Sequence, residues 1–125
     1  MTALPYVDTS TPARSTIRQY TGNAVSRLLR LPPRTTQFEV HRGLRVPMRD
    51  GVDLIADHYV PAIDDAKGTL LVRCPYGRGW PISGLLGAVY ASRGYHVLVQ
   101  SVRGTFGSGG DFTPMINEAA DGADT

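Results

Sequence analysis

The chain has 125 residues, the size of one domain, and 42% of them are apolar, enough to bury a core. Its 13 basic and 11 acidic residues are interspersed and leave a formal charge of +2, which argues against a nucleic-acid partner. A single cysteine excludes an internal disulfide and any multi-cysteine metal site.

The first segment, "MTALPYVDTSTPARSTIRQY", lacks the basic start and apolar run of a secretory signal. No stretch approaches the roughly 18 apolar residues of a membrane span, so a cytoplasmic protein is expected. Over 13–31, Ile17, Tyr20, Ala24, Val25 and Leu28 recur at helical spacing, with Arg14, Arg18, Arg27 and Arg30 mainly on the other sides. This predicts an amphipathic helix ended by "LPPR", packed on its own domain rather than on a membrane. Residues 1–34 are thus an N-terminal tail and helix, and 35–125 the domain proper.

Two strand-like stretches, "QFEVHRGLRVPM" and "VDLIADHYV", flank "RDG". Asp50-Gly51 there is a hairpin signal, because glycine supplies the positive φ of a tight turn. Leu54, Ala56, His58 and Val60 share one face of the second strand; Asp53, Ile55, Asp57 and Tyr59 share the other. Neither face is cleanly apolar, which puts the pair toward a sheet edge. The apolar run "TLLVRC" reads as a buried strand, "ISGLLGAVYASRGY" as a helix carrying Leu85, Leu86, Val89 and Tyr90, and "YHVLVQ" as a second strand. Strand, helix and strand make a crossover unit of parallel strands, so an antiparallel edge hairpin leads into a parallel sheet of α/β class. The glycine-rich "SVRGTFGSGGDF" follows, and "NEAADGADT" reads as the start of a helix with acidic residues in its first turn. Such a sheet leaves face uncovered, and a parallel sheet needs helices on both sides. Weakly cooperative unfolding and self-association through the uncovered sheet are the expected consequences.

Cys74 is a candidate nucleophile with His41, His58 or His96 as base, but it closes a buried strand without a local motif. The histidines have no metal-ligand spacing, and His96 fits a hydrogen bond within the sheet better than catalysis. "RGTFGSGG" lacks the lysine and hydroxyl of a phosphate loop and fails the GxGxxG pattern. It fits a turn beyond a strand's C-terminal end, braced by Arg103 through carbonyls or a carboxylate such as Asp111. Tyr76 follows a strand end between Pro75 and Gly77, where its hydroxyl is available to developing oxyanion charge. No cofactor and no metal are expected.

Taken in order, "VPMRDGVDLIADHYVP", "TLLVRCPYGRG", "ASRGYHVLVQSVRGTFGSGGDF" and "EAADGADT" resemble the opening of the CocE/NonD hydrolases, relatives of the X-Pro dipeptidyl-peptidase (S15) group. The resemblance covers 38–125 and implies the N-terminal part of an α/β-hydrolase fold, with 35–125 an incomplete hydrolase domain. It implies a serine hydrolase that cleaves a small acyl ester or amide through an acyl-enzyme. It assigns Tyr76 to the oxyanion hole, and Arg103, Gly104, Ser108 and Gly110 to a structural loop near the pocket. Where the family usually has an acidic residue two positions before that arginine, this chain has Ser101. The nucleophile elbow is expected about 20 residues beyond Thr125, so the 125 residues alone are expected to be inactive. The alternative from another class is a small interaction or scaffold domain that needs a partner or a second copy.

Overall fold

The computed structural model describes residues 26–79 and 81–125. Four strands form one mixed sheet: β1 (Phe38–Pro47), β2 (Asp53–Pro61), β3 (Gly68–Cys74) and β4 (Tyr95–Ser101), in the order β1-β2-β4-β3. Helix α1 (Ile82–Ala91) connects β3 to β4, and α2 (Glu118–Asp124) follows the glycine-rich loop. β1 and β2 form the antiparallel hairpin expected from Asp50-Gly51, closed by Met48 N–H donating to the Val52 carbonyl at 2.8 Å. β3 and β4 are parallel, as the crossover unit requires.

The hairpin takes one edge of the sheet, as the sequence predicts. β1 is the edge, but β2 pairs antiparallel with β4 and is an interior strand. Its mixed faces reflect buried polar groups with partners rather than an edge position. Asp57 and Tyr59 lie on one face with Val97, Val99 and Ser101 of β4 and Val72 and Cys74 of β3, by their register. Tyr59, Val97 and Val99 on this face are fully buried with Ala91 of α1, and Phe38, Val40, Leu70 and Val72 pack against them.

α1 turns its small residues inward. Ser83, Gly87 and Ala91, spaced by one helical turn, are buried, whereas Ile82, Leu86 and Tyr90 are exposed or nearly so. The reason is Tyr59: a Cβ at position 87 would lie 2.6 Å from its ring. The tyrosine fills the space that large helix residues would otherwise occupy, so the helix descends close to the sheet.

α2 touches the opposite face near the C-terminal ends of β3 and β4. Arg73 of β3 pairs with Glu118 and donates to Gln100 Oε1 at 2.9 Å, and Thr125 Oγ1 donates to the same oxygen at 3.1 Å. Elsewhere on that face Leu71 remains 41% exposed. Of the helix expected over 13–31, residues 26–28 are helical and 29–31 are not; 13–25, with the tail, lie outside the described residues. Arg93 fixes this segment, donating to the Pro32 carbonyl at 2.9 Å and to Ser26 Oγ at 3.1 Å. Burial of Arg93 lowers its pKa from the usual value, helped by the charge of Arg34.

Candidate active site

Parallel strands place their working loops at their carboxyl ends, and here two such loops meet. After Cys74 ends β3, the turn Pro75–Gly79 rises from the sheet. Tyr76 is 84% exposed, its N–H donates to Cys74 Sγ at 3.4 Å, and its hydroxyl has no partner among the described residues. The turn beneath it is fixed. Ser83 Oγ, from the first turn of α1, donates to the Gly77 carbonyl at 2.9 Å. The Phe106 ring covers Gly77, so that a Cβ there would lie 3.2 Å from the ring. Arg78 donates to Asp57 Oδ1 at 3.3 Å, to Ser101 Oγ at 2.6 Å and to the Phe106 carbonyl at 2.9 Å.

Asp57 is the centre of this arrangement. Its side chain is 6% exposed and accepts from Arg78, from Arg42 Nη1 at 3.0 Å and from the Gly43 N–H at 2.9 Å. Arg42 and Gly43 form an irregularity in β1, where the register slips between His41 and Leu44. One extra residue there leaves backbone groups unpaired, and the carboxylate satisfies one of them. Beside Asp57, Arg42, Gly43, Arg78, Gly79 and Phe106 line an open cleft of about 540 Å³.

The glycine-rich loop is a brace. Arg103 grips Asp121 of α2 through two bonds of 3.0 and 2.6 Å and reaches Asp50 of the hairpin turn at 2.8 Å. These contacts raise its pKa, Asp121 contributing most, and the Arg103 guanidinium holds the Asp50 carboxyl below its ordinary range. The carboxylates are therefore Asp50 and Asp121; Asp111, the acceptor suggested by the sequence, is exposed. Ser108 Oγ donates to the Ser101 carbonyl at 2.7 Å and accepts the Ile55 N–H at 2.9 Å. With both capacities used, it is a structural hydroxyl. At Gly104 the backbone has φ 74°, and a Cβ would lie 2.2 Å from the Phe112 nitrogen, so only glycine fits. Gly110 packs on Arg103, where a Cβ would lie 2.8 Å from its Cγ.

The structure separates Cys74 from the histidines. Cys74 pairs in register with Ser101 on the α1 side, whereas Thr69 pairs with His96, and alternation puts His96 and His58 on the other side. The His58 Nε2 to His96 Nδ1 distance is 3.0 Å, one ring nitrogen donating to the other. This is the hydrogen bond within the sheet expected for His96. Burial pushes the His58 pKa down, reinforced by His96 and His41. Among the described residues no three His, Cys, Asp or Glu side chains form a metal-binding group, and no helix is long and apolar enough to cross a membrane.

Sequence reasoning missed Asp57, Arg42, Arg78 and Ser83. The available signal was an aspartate amid the apolar positions of a strand, which demands a partner.

A mixed sheet with an antiparallel hairpin, a parallel crossover pair and a braced loop at the carboxyl ends is the architecture of a CocE/NonD-type α/β hydrolase. Solved structures support it: a CocE/NonD family hydrolase from Staphylococcus aureus has TM-score 0.60 and 21% identity over 70% of this chain and 19% of its own. An aminopeptidase from a marine sediment archaeon (Thaumarchaeota archaeon) has TM-score 0.55 and 22% identity over 96% of this chain and 21% of its own. An α-amino acid ester hydrolase has TM-score 0.56 and 21% identity over 88% and 21%. In sequence, cocaine esterase from Rhodococcus sp. (strain MB1 Bresler) is 38% identical over 92 residues, 70% of this chain and 16% of the esterase. The family model for X-Pro dipeptidyl-peptidase (S15 family) matches residues 50–125. The chain belongs to this hydrolase family, and it spans about a fifth or less of the length of these relatives.

Proposed function

We propose that the protein hydrolyses a small acyl ester or amide by the serine mechanism, with the Tyr76 hydroxyl donating to the oxyanion of the tetrahedral intermediate. The observation that carries this reading is an exposed tyrosine with an uncommitted hydroxyl on an otherwise fixed turn at the carboxyl end of a parallel strand. A donor aimed at developing charge lowers the barrier because it strengthens as the carbonyl oxygen becomes anionic, without having to reorganise.

The nucleophile, its base and the acid come from outside residues 1–125 in this reading. No serine in the sequence lies in a Gly-x-Ser-x-Gly elbow. The names of the relatives include both ester and peptide hydrolases, so acyl transfer is the chemistry common to them.

A fluorophosphonate probe, which phosphonylates an activated serine, tests the reading. Labelling of the full-length protein with concurrent loss of esterase activity is expected, as is no labelling of residues 1–125 expressed alone. An active full-length protein that resists the probe, or a labelled 1–125 segment, contradicts it.

A further inference from the structure

We infer that Arg78 is a positioning residue for Tyr76, locking the oxyanion turn to two other elements of the sheet; this rests on the proposed role of Tyr76. Among the described residues nothing holds the Tyr76 side chain. It is 84% exposed and its hydroxyl is without a partner among the described residues. The point from which it projects is therefore set by the backbone that carries it, and that backbone is a short turn leaving the sheet at Cys74. On the near side the ladder fixes it, Cys74 standing in register with Ser101. On the far side Ser83 holds the Gly77 carbonyl, and the side chain two residues beyond the tyrosine ties the turn to the sheet.

Arg78 is only 19% exposed in its side chain, although it belongs to a loop at the mouth of a cleft. Its guanidinium joins three pieces of chain: Asp57 from β2, Ser101 at the end of β4, and the Phe106 carbonyl from the following loop. Each of these anchors is tied down in turn. Asp57 also accepts from Gly43 and Arg42, the Ser101 carbonyl accepts from Ser108, and the Phe106 ring lies against Gly77. A planar guanidinium with several donors in a fixed fork suits this role, whereas an ammonium would satisfy fewer anchors at once. The committed donors also argue against Arg78 as a substrate-binding cation. Arg42, 44% exposed on the same cleft, retains more access to solvent.

The chemistry makes the position matter. An oxyanion donor has to meet the developing charge at ordinary hydrogen-bond length, and a displacement of about 1 Å can cost about a hundredfold in rate. Freeing one end of the turn displaces the hydroxyl without removing it. Loss of Arg78 should therefore reduce transition-state stabilisation through Tyr76, and should have little further effect where the hydroxyl is already gone.

The test is a double-mutant cycle in the full-length protein, with a p-nitrophenyl ester as substrate and a boronic acid as the tetrahedral analogue. Arg78→Ala is expected to lower kcat about 10- to 100-fold with KM changed by less than about threefold, and to weaken the boronic acid by a similar factor. Arg78→Lys should recover part of the loss. The decisive result is that Arg78→Ala combined with Tyr76→Phe is no slower than Tyr76→Phe alone. Losses that multiply would overturn the inference while leaving Tyr76 as the oxyanion donor, as would an Arg78→Ala change confined to KM or melting temperature. A silent Tyr76→Phe would instead remove the proposed function, and this inference with it. If Arg78→Ala fails to fold, Ser101→Ala removes one anchor only, and its cycle with Tyr76→Phe reads the same coupling.

Discussion

Replacing Asp57 by alanine should release the β1 irregularity and the turn that carries Tyr76 together. The carboxylate accepts from Arg78, from the Gly43 N–H and from Arg42. The charge-assisted bond to the mostly buried Arg78 contributes about 1.5 kcal/mol, and the stranded Gly43 donor costs about 1 kcal/mol. The pair with half-exposed Arg42 adds about 0.5 kcal/mol, since solvent screens it. The expected loss is about 3 kcal/mol, below the range for breaking a fully buried ion pair because two partners retain some access to water. Urea unfolding followed by circular dichroism measures the total, and hydrogen exchange at the Gly43 amide reads the local effect. Exchange there should accelerate about a hundredfold. Asp57→Asn keeps an acceptor for Gly43 but loses the charge, and should cost roughly half as much. A loss below about 1 kcal/mol with Gly43 protection unchanged would refute the reasoning, because the irregularity would then be held by something else.

Other expectations test separate parts of the structure. Gly104→Ala should destabilise by about 3 kcal/mol or more, since a positive φ and a backbone clash combine where no flexible side chain can yield; a neutral result in a melting experiment would refute the close approach. Asp121→Ala removes the acceptor gripped by Arg103, leaving a mostly buried guanidinium with only Asp50, and should cost about 3 kcal/mol in urea unfolding. His58 carries a depressed pKa in the fold, so the unfolded chain binds its proton first as pH falls. Its contribution to stability is therefore complete above the ordinary value of 6.5 and declines below it. Urea midpoints at pH 7.5 and 5.5 should differ less in His58→Gln than in the parent; an equal difference in both would contradict the assignment.

The elements that were legible in the sequence are those defined by local pattern. Asp50-Gly51 announced the hairpin, and the alternation from apolar strand to helix to β-branched strand announced the parallel crossover, because each signal lies within a few residues of the structure it dictates. What was not legible depends on partners distant in sequence. The mixed faces of β2 placed the hairpin at the sheet edge but did not reveal the partners of Asp57, which is buried because Arg42 and Arg78 reach it from opposite directions in the chain. Arg103 was correctly read as a brace, but its carboxylates are Asp50 and Asp121 rather than nearby Asp111, since the loop folds back on the hairpin turn. The inward face of α1 was similarly hidden. The sequence shows its large apolar residues, Leu85, Leu86, Val89 and Tyr90, but the fully buried face is Ser83, Gly87 and Ala91, shaped by a tyrosine on another strand.

The most direct test of the account is the turnover of Tyr76→Phe in the full-length protein, since this change removes one oxygen from an exposed side chain and leaves its fixed turn intact. The account predicts a fall in kcat of roughly tenfold to a thousandfold, with KM nearly unchanged and no loss of melting temperature. An unchanged kcat would contradict it and remove Tyr76 from the mechanism.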